Sequence, residues 1–66
     1  MDEEALNMSI RKFLKKVGIS SQREIERALT QANQAGRLDG SPVRVKMTLE
    51  CELLDKSMSI EDGISY

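Results

Sequence analysis

Three groups of residues have types and spacings that could do chemistry. Glu50 and Glu52 lie two apart, with Glu61 and Asp62 further along the chain. Paired carboxylates of this kind serve in acid–base or metal work. Here nothing else in the chain shapes a pocket around them, so surface charge is the expected role. Cys51 sits between Glu50 and Glu52. A nucleophilic thiol needs a neighbouring cation or a helix N-terminus, and two carboxylates are the wrong neighbours. A small buried hydrophobe is the expected role for Cys51. The third group is basic. Arg11, Lys12, Lys15, Lys16 and Arg23 follow one another with no acidic residue between Ala5 and Gln22. On a helix, Arg11 stacks near Lys15 and Lys12 near Lys16. Such a run can contact phosphates or an acidic partner, or it can be a solvated face that complements the helix dipole.

The chain has no His and one Cys, which excludes an intramolecular disulfide and leaves zinc without clustered ligands. There is no phosphate loop. The expectation is no catalytic residue, no cofactor and no metal. Only Phe13 and Tyr66 are aromatic, so no stacking platform for single-stranded nucleic acid exists. A net charge of −1 excludes a chain that binds nucleic acid by overall charge. With 39% hydrophobic and 32% charged residues, the chain is too apolar for disorder and too polar for a membrane protein. No run of apolar residues is long enough to span a bilayer. The N-terminus lacks the order of a signal peptide. With a lone Cys, that points to a cytoplasmic protein.

The elements that must position these residues are four. Leu6, Ile10, Phe13, Leu14 and Val17 recur at helical spacing, which predicts a helix over about 3–17. Asp2 is its N-cap, and Gly18 can take the left-handed position that ends it. Phe13 is the expected core anchor of this helix. Ser21-Gln22-Arg23-Glu24 matches a capping box and opens a second helix over about 22–35. Ile25, Ala28, Leu29 and Ala32 form its apolar face, and Gly36 is its stop. Asp39-Gly40-Ser41-Pro42 is a cluster of turn formers. Val43, Val45, Met47, Leu49, Cys51 and Leu53 then alternate with polar residues, predicting a strand over about 43–53. A shorter strand over about 57–61 follows, with Met47 and Met58 meeting across the hairpin. Asp62-Gly63 reads as a turn within a tail of residues 62–66, whose Ile64-Ser65-Tyr66 are either a stub of a third strand or a frayed end.

The predicted fold is α+β, two N-terminal helices on a small antiparallel hairpin in the order α-α-β-β, within a single domain of residues 1–66. Two helices before a hairpin resemble part of a winged helix-turn-helix, in which a second helix exposing Gln22, Arg23, Glu26, Arg27, Gln31 and Gln34 would read base edges with its glutamines and arginines. Glu24 and Glu26 oppose close phosphate approach, and a third helix is missing.

A domain this small buries a reduced share of its surface and commonly needs a disulfide, a metal or a partner chain. The first two are excluded, which leaves the partner, with unusually tidy packing of a monomer as the alternative. The long strand gives it a place. About eleven extended residues span roughly 36 Å. A fifteen-residue helix spans roughly 22 Å, and a five-residue strand pairs with less than half of it. Arg44 and Lys46 are basic, and Glu50 and Glu52 are acidic. An antiparallel copy centred on Thr48 would set Arg44 against Glu52 and Lys46 against Glu50, each pair contributing roughly 0.2–1 kcal/mol. A homodimer through this strand, or an ordinary hairpin with an accidental charge order, are the alternatives. The expected function is a small non-enzymatic protein-interaction module that self-associates or binds a protein partner. The alternative is a small nucleic-acid-binding regulator using the basic run, which is possible but not favoured.

The segment from Ala5 through Gly18 (ALNMSIRKFLKKVG), followed by Ser20 to Glu26 (SSQREIE) and by Lys46-Met47-Thr48-Leu49, resembles a family of short, uncharacterised bacterial proteins, a domain of unknown function. The likeness lies mainly in the N-terminal half. It implies a bacterial cytoplasmic protein and supplies no activity or binding residues.

Overall fold

The apolar stripe of the N-terminal half continues in phase through Gly18. Leu6, Ile10, Leu14, Val17, Ser21, Ile25, Ala28 and Ala32 are separated by four, four and three residues in repetition, close to the helical period. In the computed structural model, which describes residues 1–66, this stripe lies on one uninterrupted helix, α1, Glu3–Gln34. The two helices expected over about 3–17 and 22–35 are therefore one, and the fold is α-β-β rather than α-α-β-β. Gly18 keeps a helical backbone, since the left-handed residues are Gly36, Gly40 and Asp55. Glycine inside a helix costs about 1 kcal/mol, which one continuous apolar face outweighs. The capping-box residues are read through. Gln22 donates along the helix to Glu26 at 3.0 Å, and Arg27 pairs with Glu24 at 3.1 Å.

Both ends of α1 are capped as the sequence indicates. The Asp2 carboxylate accepts from the Glu4 and Ala5 amides at 3.0 and 3.1 Å, and Glu3 and Glu4 favour the positive end of the dipole. At the C-terminus Gly36 is left-handed, with φ of 69°. The Arg37 amide donates to the Ala32 carbonyl and the Gly36 amide to that of Asn33. These two bonds form a Schellman motif, which satisfies the last carbonyls.

A short link then leads to a hairpin of equal strands, β1 Val43–Cys51 and β2 Lys56–Ile64. In the link, the Ser41 hydroxyl and amide both donate to the Asp39 carboxylate. The Tyr66 hydroxyl accepts from the Gly40 amide, tying the chain end to this link. The Ser41 hydroxyl and then its amide hold the Asp39 carboxyl below the usual carboxylate value. A folded value below the unfolded one means that the link gains stability above the ordinary carboxylate range and loses it as pH falls through the folded value. The Ser41 amide resonance should therefore shift in a single acid step below about pH 4, and Asp39→Asn should abolish that step.

The strands pair over their whole length, from Val43 opposite Ile64 to Cys51 opposite Lys56. β2 runs past the expected 57–61. Asp62 and Gly63 lie in the ladder rather than in a turn, and Ile64 belongs to the strand instead of a tail. Ile64 keeps the two-residue period of Met58 and Ile60, which made it readable as strand. Gly63 serves a close approach. A side chain there would begin 3.2 Å from the Pro42 ring. β1 ends at Cys51, two residues earlier than expected. Leu53 stands in the turn with nearly its whole surface exposed. Met47 opposes Ile60 and Met58 opposes Leu49, so the two methionines are diagonal neighbours rather than partners. The turn closes through the Asp55 amide donating to the Glu52 carbonyl, with Asp55 left-handed at φ of 48°. Aspartate tolerates that conformation and a β-branched residue does not. Asp55→Val should lower stability by about 1–2 kcal/mol, read from denaturant unfolding.

Candidate self-association surface

Antiparallel pairing places directly opposed residues on one face. One sheet face therefore carries Val43, Val45, Met47, Leu49 and Cys51 with Ile64, Asp62, Ile60, Met58 and Lys56, apolar but for Asp62 and Lys56. The other carries Arg44, Lys46, Thr48 and Glu50 with Gly63, Glu61, Ser59 and Ser57. The apolar face turns towards α1. A cleft of about 460 Å³ lies between the helix at Ile25 to Ala32 and consecutive β1 residues of both faces, Val43, Arg44, Val45 and Lys46. A second, of about 260 Å³, is lined by Ser20, Ser21, Glu24 and Ile25 with Val45 and Met47. Protein interiors leave few voids of this size. Helix and sheet face each other here without closing into a core.

The consequence is visible in burial. No residue of the chain is buried. Val17, Ser21, Ile25, Leu29 and Ala32 of the helix are half-buried, as are Val43, Val45 and Ile64 of the sheet. The N-terminal half of the stripe is open, with Phe13 53% and Leu14 56% exposed. Phe13, expected as a core anchor, is instead presented to solvent. The distal half of the sheet face is open too, from Met47 and Leu49 to Met58 and Ile60. Cys51 is half-buried at its end, opposite Lys56, rather than enclosed as a core residue.

The basic run lies along α1. Arg11, Lys12 and Lys15 line one shallow groove with Met8 and Ser9, and by helical spacing they stand away from the apolar stripe. Lys16 follows in the next turn, and Arg23 is nearly two turns on, beside Gln22 and Glu26. The one salt bridge of the chain is Arg27 to Glu24, so these five cations are unpaired. With α1 continuous there is no helix-turn-helix and no separate recognition helix. The carboxylates are dispersed. Glu50 opposes Ser57, Glu61 opposes Lys46, and Asp62 opposes Val45 on the opposite face. No group of three or more potential ligands is gathered as a metal would require.

On β1, Lys46 has Glu61 across the ladder, and the Thr48 hydroxyl meets that of Ser59 at 3.2 Å. Arg44 opposes Gly63. Glu52 falls in the turn, outside the paired strand, so a register centred on Thr48 retains Lys46 against Glu50 but sets Arg44 against a turn residue. The strand-length mismatch that argued for a second copy is gone, because β2 matches β1. The outer edge of β1 nevertheless has no partner in the two-stranded sheet. Exposed Leu53 and Leu54 at the turn are a further apolar feature that the strand pattern concealed by counting Leu53 as its last inward residue.

The model of a family of unknown function, DUF6494, matches residues 1–66. The chain belongs to DUF6494. The match covers the hairpin as fully as the helix, whereas the sequence resemblance was plain mainly in the N-terminal half. No curated protein and no solved structure matches the chain. Within this DUF6494 chain, no helix is long and apolar enough to cross a membrane.

Proposed function

We propose that the protein is a small non-enzymatic interaction module that self-associates, working as a homodimer. The observation that carries this reading is the absence of any buried residue in a chain whose helix carries an apolar stripe and whose sheet carries an apolar face interrupted only by Asp62 and Lys56. Contiguous exposed apolar surface of this extent marks an interaction site, and folding without a core would leave ordering entropy uncompensated. The unpaired outer edge of β1 offers a place to begin, with Lys46 lying between Glu61 of its own chain and Glu50 of the second. Light scattering at micromolar concentration tests it. A mass of twice 7.4 kDa is expected, and a monomeric mass would remove the reading. A cytoplasmic, bacterial setting is part of the same proposal and rests on the lone Cys and the sequence resemblance.

A second reading is favoured by one observation, the unpaired basic side chains Arg11, Lys12, Lys15 and Lys16 on α1, away from the centre of the apolar stripe. A phosphate backbone or an acidic partner would suit them. Fluorescence anisotropy with a labelled duplex at low and moderate salt separates the two. Salt-sensitive binding lost on replacing Lys12, Lys15 and Lys16 by alanine would support nucleic-acid binding. No binding at low salt would remove it.

A further inference from the structure

We propose that the hairpin tip of one copy, with Leu53 and Leu54, fills the larger cleft between α1 and β1 of a second copy, whose own tip fills the cleft of the first. The proposal rests on self-association through the edge of β1 and names the anchor and its pocket. The strand residues lining this cleft are consecutive and come from both sheet faces, Val43 to Lys46, and no residue of β2 lines it. The inner edge of β1 is held by β2. The cleft therefore opens along the outer edge, where a second copy of the strand would pair.

The antiparallel register centred on Thr48 decides what reaches that edge. Glu50 of one copy falls beside Lys46 of the other, and Cys51 beside Val45. The turn, residues 52–55, then falls beside Arg44 and Val43, at the cleft. A chain cannot fill its own cleft this way, because Val43 to Cys51 spans roughly 26 Å of strand. Leu53 is 96% and Leu54 71% exposed, more than any other large apolar side chain after Met1. The cleft, with Ala28, Leu29, Ala32 and Leu38 in its walls, has the size of pockets that enclose a ligand and offers these leucines an apolar seat. The charges agree as well. Every charged residue lining the cleft is basic, namely Arg37, Arg44 and Lys46. The tip carries Glu50, Glu52 and Asp55 against one base, Lys56. The chain's one salt bridge is elsewhere, Arg27 to Glu24, so these groups are free to pair between copies. An apolar anchor seated in a pocket and ringed by complementary charge is the arrangement that concentrates binding energy and fixes register.

Cross-linking between two full-length chains tests the docking. Both carry Cys51→Ser, one with Leu53→Cys and the other with Ala28→Cys. They are refolded together and oxidised mildly with copper phenanthroline, and the disulfides are mapped by mass spectrometry. Thr30→Cys replaces Ala28→Cys in the comparison, because two residues along a helix is the far side. The expected result is a disulfide from position 53 to position 28, formed roughly tenfold or more faster than to position 30. Leu54→Cys with Ala32→Cys gives the same reading should either first chain lose its helical circular dichroism. Disulfides only between two copies of position 53 set tip against tip and overturn the docking, as do equal rates to positions 28 and 30, while self-association stands. Replacing Leu53 and Leu54 together by serine should raise the dimer dissociation constant roughly thirtyfold or more, and an unchanged constant overturns the docking too. A monomeric mass of the parent chain overturns self-association itself.

Discussion

Phe13→Asp is expected to raise the dimer dissociation constant by roughly a hundredfold or more and to unfold the chain at concentrations where the parent stays folded. Phe13 is the largest apolar side chain on the open N-terminal half of α1 and is 53% exposed in the single chain. Truncating a packed phenylalanine costs about 3–5 kcal/mol, and a carboxylate in its place adds the penalty of desolvating a charge. Each 1.4 kcal/mol is about a factor of ten in affinity. In a lone chain the same substitution would be mild, because Phe13 makes no core. Lys15→Gln, on the polar side of α1, should stay within about 0.5 kcal/mol of the parent. Sedimentation equilibrium, with circular dichroism on the same samples, reads both quantities.

Ser20→Pro is expected to cost about 3 kcal/mol or more, because a proline inside a helix loses one hydrogen bond and clashes with the preceding turn. Total stability of a small domain is only about 5–15 kcal/mol, so much of the folded population should be lost. The result bears on the continuity of α1. Were residues 18–20 a linker between two helices, proline would be tolerated there. Gly18→Ala runs the opposite way. In a continuous helix it should add about 1 kcal/mol, whereas at a left-handed helix end it would be strained. Thermal unfolding of both variants, followed by helical circular dichroism, gives the two signs together.

The continuity of α1 through Gly18 has a physical explanation. Lys15, Lys16, Gly18 and the Ser21–Glu24 pair are each a sound terminus signal, and each contributes about 1 kcal/mol or less. What decides is the phase of the apolar residues. Val17, Ser21 and Ile25 continue the row of Leu6, Ile10 and Leu14, and a turn at residues 18–20 would have broken that row. Ser21, a polar residue in the apolar row, hid the continuity. Asp62 did the same in β2. It occupies an inward position of the Met58, Ile60, Ile64 alternation and, next to Gly63, imitated a turn. By contrast Asp2, Gly36 and the alternation of β1 were legible because each is a local rule satisfied by local atoms. Phe13 and Cys51 were assigned to a core because apolar periodicity tells which face is buried but not which chain buries it. The same blindness applies to the basic run, whose positions on α1 follow from spacing while its ligand does not.

The strand-length mismatch expected between a long and a short strand does not survive, since β1 and β2 are each nine residues long. The proposal of a second copy rests on different ground, a chain with exposed apolar side chains on helix and sheet and no buried residue. Thermal unfolding over a hundredfold range of protein concentration tests that claim most directly, because partner binding stabilises the folded state by mass action. A melting temperature that climbs with concentration is expected. A cooperative transition at one temperature across the whole range, at a mass of 7.4 kDa, would contradict it.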